Sequence, residues 1–99
     1  MSELQYEIAL ETPLGPRKGR LLLTVAENTC TGILEVMRER NPVTGTISKD
    51  GQCHLTGNIR TLLHSRAFTA DGKCLPETVN LILHYGRIPC SICGQTAAL

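Results

Sequence analysis

The side chains in this chain that could do chemistry are few and fall into three sets. The first is five cysteines: Cys30, Cys53, Cys74, Cys90 and Cys93. Cys90 and Cys93 have the C-x-x-C spacing that can supply two of the four ligands of a tetrahedral zinc site. A second C-x-x-C is missing. In a strand, residues three apart also point to opposite faces, so a zinc site through Cys90 and Cys93 is only an alternative expectation, reached if a dimer brings two such pairs together. The second set is His54, His64 and His84. Cys53 and His54 are adjacent, and strand neighbours face away from each other, which does not build a thiolate–imidazole pair. The third set is basic: an up-and-down arrangement of the strands would send Arg17, Lys18, Arg20, Arg38, Arg40, Arg60, Arg66 and Arg87 to or near one end, and only Lys49 and Lys73 to the other. No glycine-rich phosphate loop precedes a helix, and no carboxylate pair falls on an inner face. With no convergent acid, base and nucleophile, the expectation is a non-enzymatic protein without a cofactor.

The elements that must position these residues are strands. Turn signals recur every eleven to thirteen residues, at 13–18, 28–32, 41–45, 50–51, 63–65, 71–72 and 86–87. Between them run β-prone segments, and residues 3–11 alternate strictly, with Leu4, Tyr6, Ile8 and Leu10 on one face. This spacing predicts an all-β fold, a small antiparallel up-and-down barrel of about eight strands, with a flattened β-sandwich as the alternative. Residues 1–94 form its single domain and 95–99 a frayed tail. Asp50-Gly51-Gln52-Cys53 and Asp71-Gly72-Lys73-Cys74 repeat one unit, and each Asp-Gly reads as a hairpin turn. Residues 33–40 also fit a helical period stopped by Asn41-Pro42, which leaves helix as their alternative.

The Gly-punctuated antiparallel pattern is similar to that of calycin-type up-and-down barrels. It departs from lipocalins and avidins in its short strands and absent Trp, so no ligand follows from the likeness. The C-x-x-C-G likewise resembles one half of a zinc knuckle.

Composition narrows the function classes. Ninety-nine residues make one small domain, and 41% hydrophobic residues suffice for a core. Two Tyr, one Phe and no Trp leave little to stack bases or sugars on, and a net charge of +1 gives no basic footprint, so no nucleic acid is expected. No basic–apolar leader opens the sequence and no apolar run reaches membrane length, so no membrane association is expected. An odd number of cysteines without a secretion signal points to a cytoplasmic location.

In a meander, alternate turns share an end. Six excess positive charges then gather at the end holding the first, third, fifth and seventh turns (rim B), and three excess negative charges at the other (rim A). Arginine suits carboxylate and phosphate. The expected site is therefore a basic mouth for an anionic small molecule or acidic partner, built from Arg38, Arg40, Arg60, Arg66 and His84. Binding there should strengthen as His64 and His84 gain charge below about pH 6.5. Leu22, Ile33, Met37, Leu62 and Ile82 fall on the outer face, and together they predict a homodimer.

Overall fold

A computed structural model describes residues 2–13, 15–36, 38–60, 65–86 and 88–96, with residues 2, 60 and 88 in backbone only. Eight strands follow in chain order: β1 (Ser2–Thr12), β2 (Gly15–Ala26), β3 (Thr29–Val36), β4 (Glu39–Ile47), β5 (Gln52–Arg60), β6 (Ser65–Cys74), β7 (Thr78–Tyr85) and β8 (Ile88–Thr96). Each pairs antiparallel with the next, and β8 pairs back with β1, closing a calycin-like up-and-down barrel. Closure excludes the sandwich. The helical alternative for 33–40 also falls, because Leu34 and Val36 are buried while Ile33 and Glu35 are turned outward, a period of two.

Two turn signals misled. The stretch 41–45 lies inside β4 and Asp71-Gly72 lies inside β6. The chain reverses before β4 at Arg38, which takes a left-handed φ of 65°. Asn41 is 1% exposed in the interior, where its Nδ2 donates to the carbonyl of Leu34 at 3.1 Å. Pro42 sits just short of the β4–β5 ladder, which begins at Val43, a position where a strand tolerates proline. Asp71 is tied across the ladder to His54 Nδ1, so it stays extended rather than turning. The reversal after β6 falls instead at 75–77. Gln95 and Thr96, expected in a frayed tail, belong to β8 and pair with Glu7 and Tyr6.

The register fixes the barrel's shape. The ladders lead from Ser2 through Val25, Cys30, Gly45, Leu55, Ala70, Leu83 and Cys90 to the level of Thr12, ten residues along the strand they left. That stagger on eight strands gives a tilt of roughly 40° and an interior just wide enough for side chains to fill. Tyr6, Ile8, Leu10, Leu21, Leu23, Leu34, Val36, Leu55, Ile59, Phe68, Leu81, Leu83 and Ile92 occupy it, as the alternation predicts. Cys30, Val43, Cys53, Ala70 and Cys74 join them. Gly45 stands level with Cys30 and beside Ile47, the partner of Cys53. The Cys30 and Cys53 side chains meet at this end of the interior. Outside, one threonine per strand (Thr24, Thr31, Thr44, Thr56, Thr69) forms a continuous cross-strand row over β2 to β6. Such β-branched pairs stabilise a solvated sheet face.

Candidate binding groove

An open groove of about 1110 Å³ runs over the outer face of β8, β1, β2 and β3 to the β3–β4 turn. Ile8 pairs with Gly94 on one side and Gly19 on the other. A Cβ on Gly19 would lie 2.1 Å from the carbonyl oxygen of Glu35, and one on Gly94 would lie 2.2 Å from that of Glu7. Only glycine lets the neighbouring strands come so close at these two points.

Two outward rows line this groove. The lower reads Gln95, Glu7, Arg20, Glu35, Arg40, one residue from each of five adjacent strands. Its charges alternate, so each arginine sits beside at least one glutamate. Arg40 Nε lies 3.8 Å from Glu35 Oε1, both side chains exposed, a pair of small energetic weight. The upper row reads Cys93, Ala9, Lys18, with Arg38 beyond it on the turn. The described residues Cys93, Ala9 and Lys18 place no carboxylate in it. Cys93 is exposed, and its thiol donates to Asn80 Oδ1 at 3.5 Å.

The five residues expected to form a basic mouth are not gathered in one place. Arg38 and Arg40 border the groove. Arg66 stands at the barrel's end, with its guanidinium 5.7 Å from the Tyr85 ring centroid. His84 points outward from β7, level with Thr69 and Pro89 and three strands round from Arg40. Arg60 lies on β5 with its side chain outside the described residues, as do Arg87 and His64 altogether. The expected gain on protonating His84 therefore attaches to no site shared with Arg38 and Arg40. Sequence reasoning placed Lys18, Arg20 and Arg38 at one end of the barrel but left Lys18 and Arg20 out of the expected site, whereas all three line the groove. The turn at Arg38 instead of 41–45 sets Arg40 opposite Glu35, beside Arg20, which β1 and β3 set against Glu7 and Glu35.

The other candidates separate in the same way. Cys90 is half-buried and packs against the core, whereas Cys93 faces outward, so the C-x-x-C cannot chelate. Among the described residues no three His, Cys, Asp or Glu side chains are grouped to hold a metal ion. Cys30, Cys53 and Cys74 are free, buried thiols at the rim A end. Burial pushes the Cys30 thiol up to about 11. The hydrogen bond with Cys74, and then burial, raise Cys53 further. Such thiols are poor nucleophiles and poor metal ligands. Of the five outer apolar residues, Leu22 and Ile33 are cross-strand neighbours and half-buried, Ile82 is exposed on β7 away from them, and Met37 and Leu62 lie outside the described residues.

No family model, curated protein or solved structure matches this chain. Among the described residues no helix is long and apolar enough to cross a membrane.

Proposed function

We propose that the protein is a small, non-enzymatic binding module that takes the anionic group of a small molecule or acidic partner in the outer groove. The observation that carries this reading is the upper row. There Lys18 from β2 and Arg38 from the β3–β4 turn follow one another at one end of a row whose other members, Ala9 and Cys93, contribute no negative charge. Arg20 and Arg40 of the lower row are partly neutralised by Glu7 and Glu35 and serve as secondary contacts. Lys supplies a point charge and Arg a planar fork, a combination that suits a phosphate or carboxylate held at the surface. The free thiols Cys30, Cys53, Cys74 and Cys93 suit a reducing cytoplasm.

The test is a titration with inorganic pyrophosphate followed by backbone amide NMR. Shift changes should centre on Ala9, Lys18 and Arg38, shrink with added salt, and weaken in Lys18→Gln and Arg38→Gln. Changes centred on Arg66 or His84, or none at millimolar pyrophosphate, defeat the reading.

A further inference from the structure

We infer that the outer face of β2 and β3 is a contact surface for a second copy of this chain, packed about a two-fold axis along the β2–β3 seam. The register carries the argument. Three successive outward rows cross this seam: Glu7–Arg20–Glu35–Arg40, Gln5–Leu22–Ile33–Pro42 and Glu3–Thr24–Thr31–Thr44. In each row two residues lie on either side of the seam.

A two-fold axis along the seam lays each row against its own reverse. Arg20 then faces Glu35 of the second copy, and Glu7 faces its Arg40. Leu22 faces Ile33 and Gln5 faces Pro42. Thr24 faces Thr31 and Glu3 faces Thr44. Of the six facing pairs, five are of opposite charge, both apolar or both polar, the exception being Gln5 against Pro42, and no like charges meet in these rows. The register is also specified. An axis moved onto β2 would set Arg20 against Arg20 and Glu7 against Glu35; moved onto β3, it would set Glu35 against Glu35 and Arg20 against Arg40. An alternating row meets opposite charges about any of its seams, but only about the β2–β3 seam do all four charges find an opposite partner while the half-buried pair Leu22 and Ile33 come face to face.

Exposed ion pairs contribute little singly, so the association is expected to be modest and salt-sensitive, with charge setting partner and register. The strand register carries this inference, and the basic upper row carries the anion site, so either can fail without the other.

The experiment uses the full-length chain in analytical ultracentrifugation, with native mass spectrometry of mixtures in which one variant is isotope-labelled. Wild type should dimerise at micromolar concentration in low salt and dissociate in high salt. Arg20→Glu sets two carboxylates face to face, at positions 20 and 35, twice per dimer. Glu35→Arg sets two guanidinium groups face to face at the same contacts. Each should raise the dissociation constant roughly 10-fold or more. Mixing the two variants restores opposite charges at both contacts, so the heterodimer should form at near wild-type affinity. A repulsion confined to one chain is not relieved by mixing, which separates an interface from local destabilisation. Leu22→Gln should weaken the dimer without rescue by either charge variant. A wild-type monomer at high micromolar concentration, a dimer indifferent to all three substitutions, or a mixture no more associated than its parts overturns the inference.

Discussion

The guanidinium of Arg66 lies over the Tyr85 ring at 5.7 Å. Tyr85 packs on the core from below, and Gly86, with φ 73°, leaves the room above it: a Cβ there would stand 2.7 Å from Arg66 Nη1. An arginine read as part of an anion-binding mouth is instead stacked across the rim B end of the interior. A double-mutant cycle between Arg66→Ala and Tyr85→Leu should therefore give a coupling of about 0.5–1 kcal/mol in urea unfolding. Arg66→Ala should leave pyrophosphate binding unchanged. A coupling near zero would mean that the stacking adds nothing to stability.

How much of this was legible in the sequence depended on which signal set the boundary. Alternation placed Tyr6, Ile8, Leu10, Leu21, Leu23 and Leu34 inside correctly, because the period-two pattern survives errors of a residue or two at strand ends. The turns were less legible. Asn41-Pro42 and Asp71-Gly72 are favourable turn dipeptides, but burial of the Asn41 amide and the His54–Asp71 contact hold both in strands. The true turn at Arg38 uses a left-handed non-glycine residue that no composition rule marks. That single displacement hid the Glu7–Arg20–Glu35–Arg40 row. A charge count by barrel end could not separate residues on its inner and outer walls, and so joined Arg66 and His84 to Arg38 and Arg40.

The cysteines should divide sharply in thiol titration. In a Cys90→Ser background, one equivalent of a disulfide reagent should react within minutes, at exposed Cys93. Cys30, Cys53 and Cys74, 1–3% exposed, should react only as fast as the barrel opens. Mass spectrometry of the labelled peptides checks the assignment. Fast labelling of Cys53 in native buffer would contradict the packing at the rim A end.

Stability should fall on the alkaline side, beginning near the ordinary thiol value of 9.0. Cys30 is raised from that value to about 11, and Cys53 is raised too. Burial, with the nearby Cys74 and Cys53 thiols, raises Tyr6 above its usual 10.0, and its hydroxyl donates to the Leu75 carbonyl at 2.6 Å. For groups raised on folding, the unfolded chain ionises first and binds fewer protons than the native one. Their contribution is therefore complete below about pH 9 and is lost progressively above it, for Cys30 as pH climbs from about 9 through its folded value of about 11, with Tyr6 adding to the fall from about pH 10. Tyr6→Phe should cost about 1 kcal/mol at neutral pH, the worth of one hydrogen bond, and flatten the decline above about pH 10. Denaturant midpoints from neutral pH to about pH 11 read both effects, and a Tyr6→Phe curve parallel to wild type would rule out the tyrosine's part.

The glycines should fall into two classes on substitution by alanine. At Gly32 an added Cβ would lie 1.8 Å from the carbonyl oxygen of Leu22, and at Gly45 1.8 Å from that of His54. Both intruding atoms belong to the backbone of a paired strand and cannot rotate away. Relief requires pulling β2 from β3, or β4 from β5. Gly15 is the control. It has φ 109°, but a Cβ there would meet nothing within 4 Å. Alanine at that position therefore faces only backbone strain, worth about 1 kcal/mol. Gly32→Ala and Gly45→Ala should each cost more than the roughly 1–3 kcal/mol typical of an overpacked side chain. For a domain of this size, that should leave little folded protein at about 37 °C. Circular dichroism melts of the three variants decide it. Equal melting points for Gly45→Ala and Gly15→Ala would show that the β4–β5 ladder is looser than its register implies.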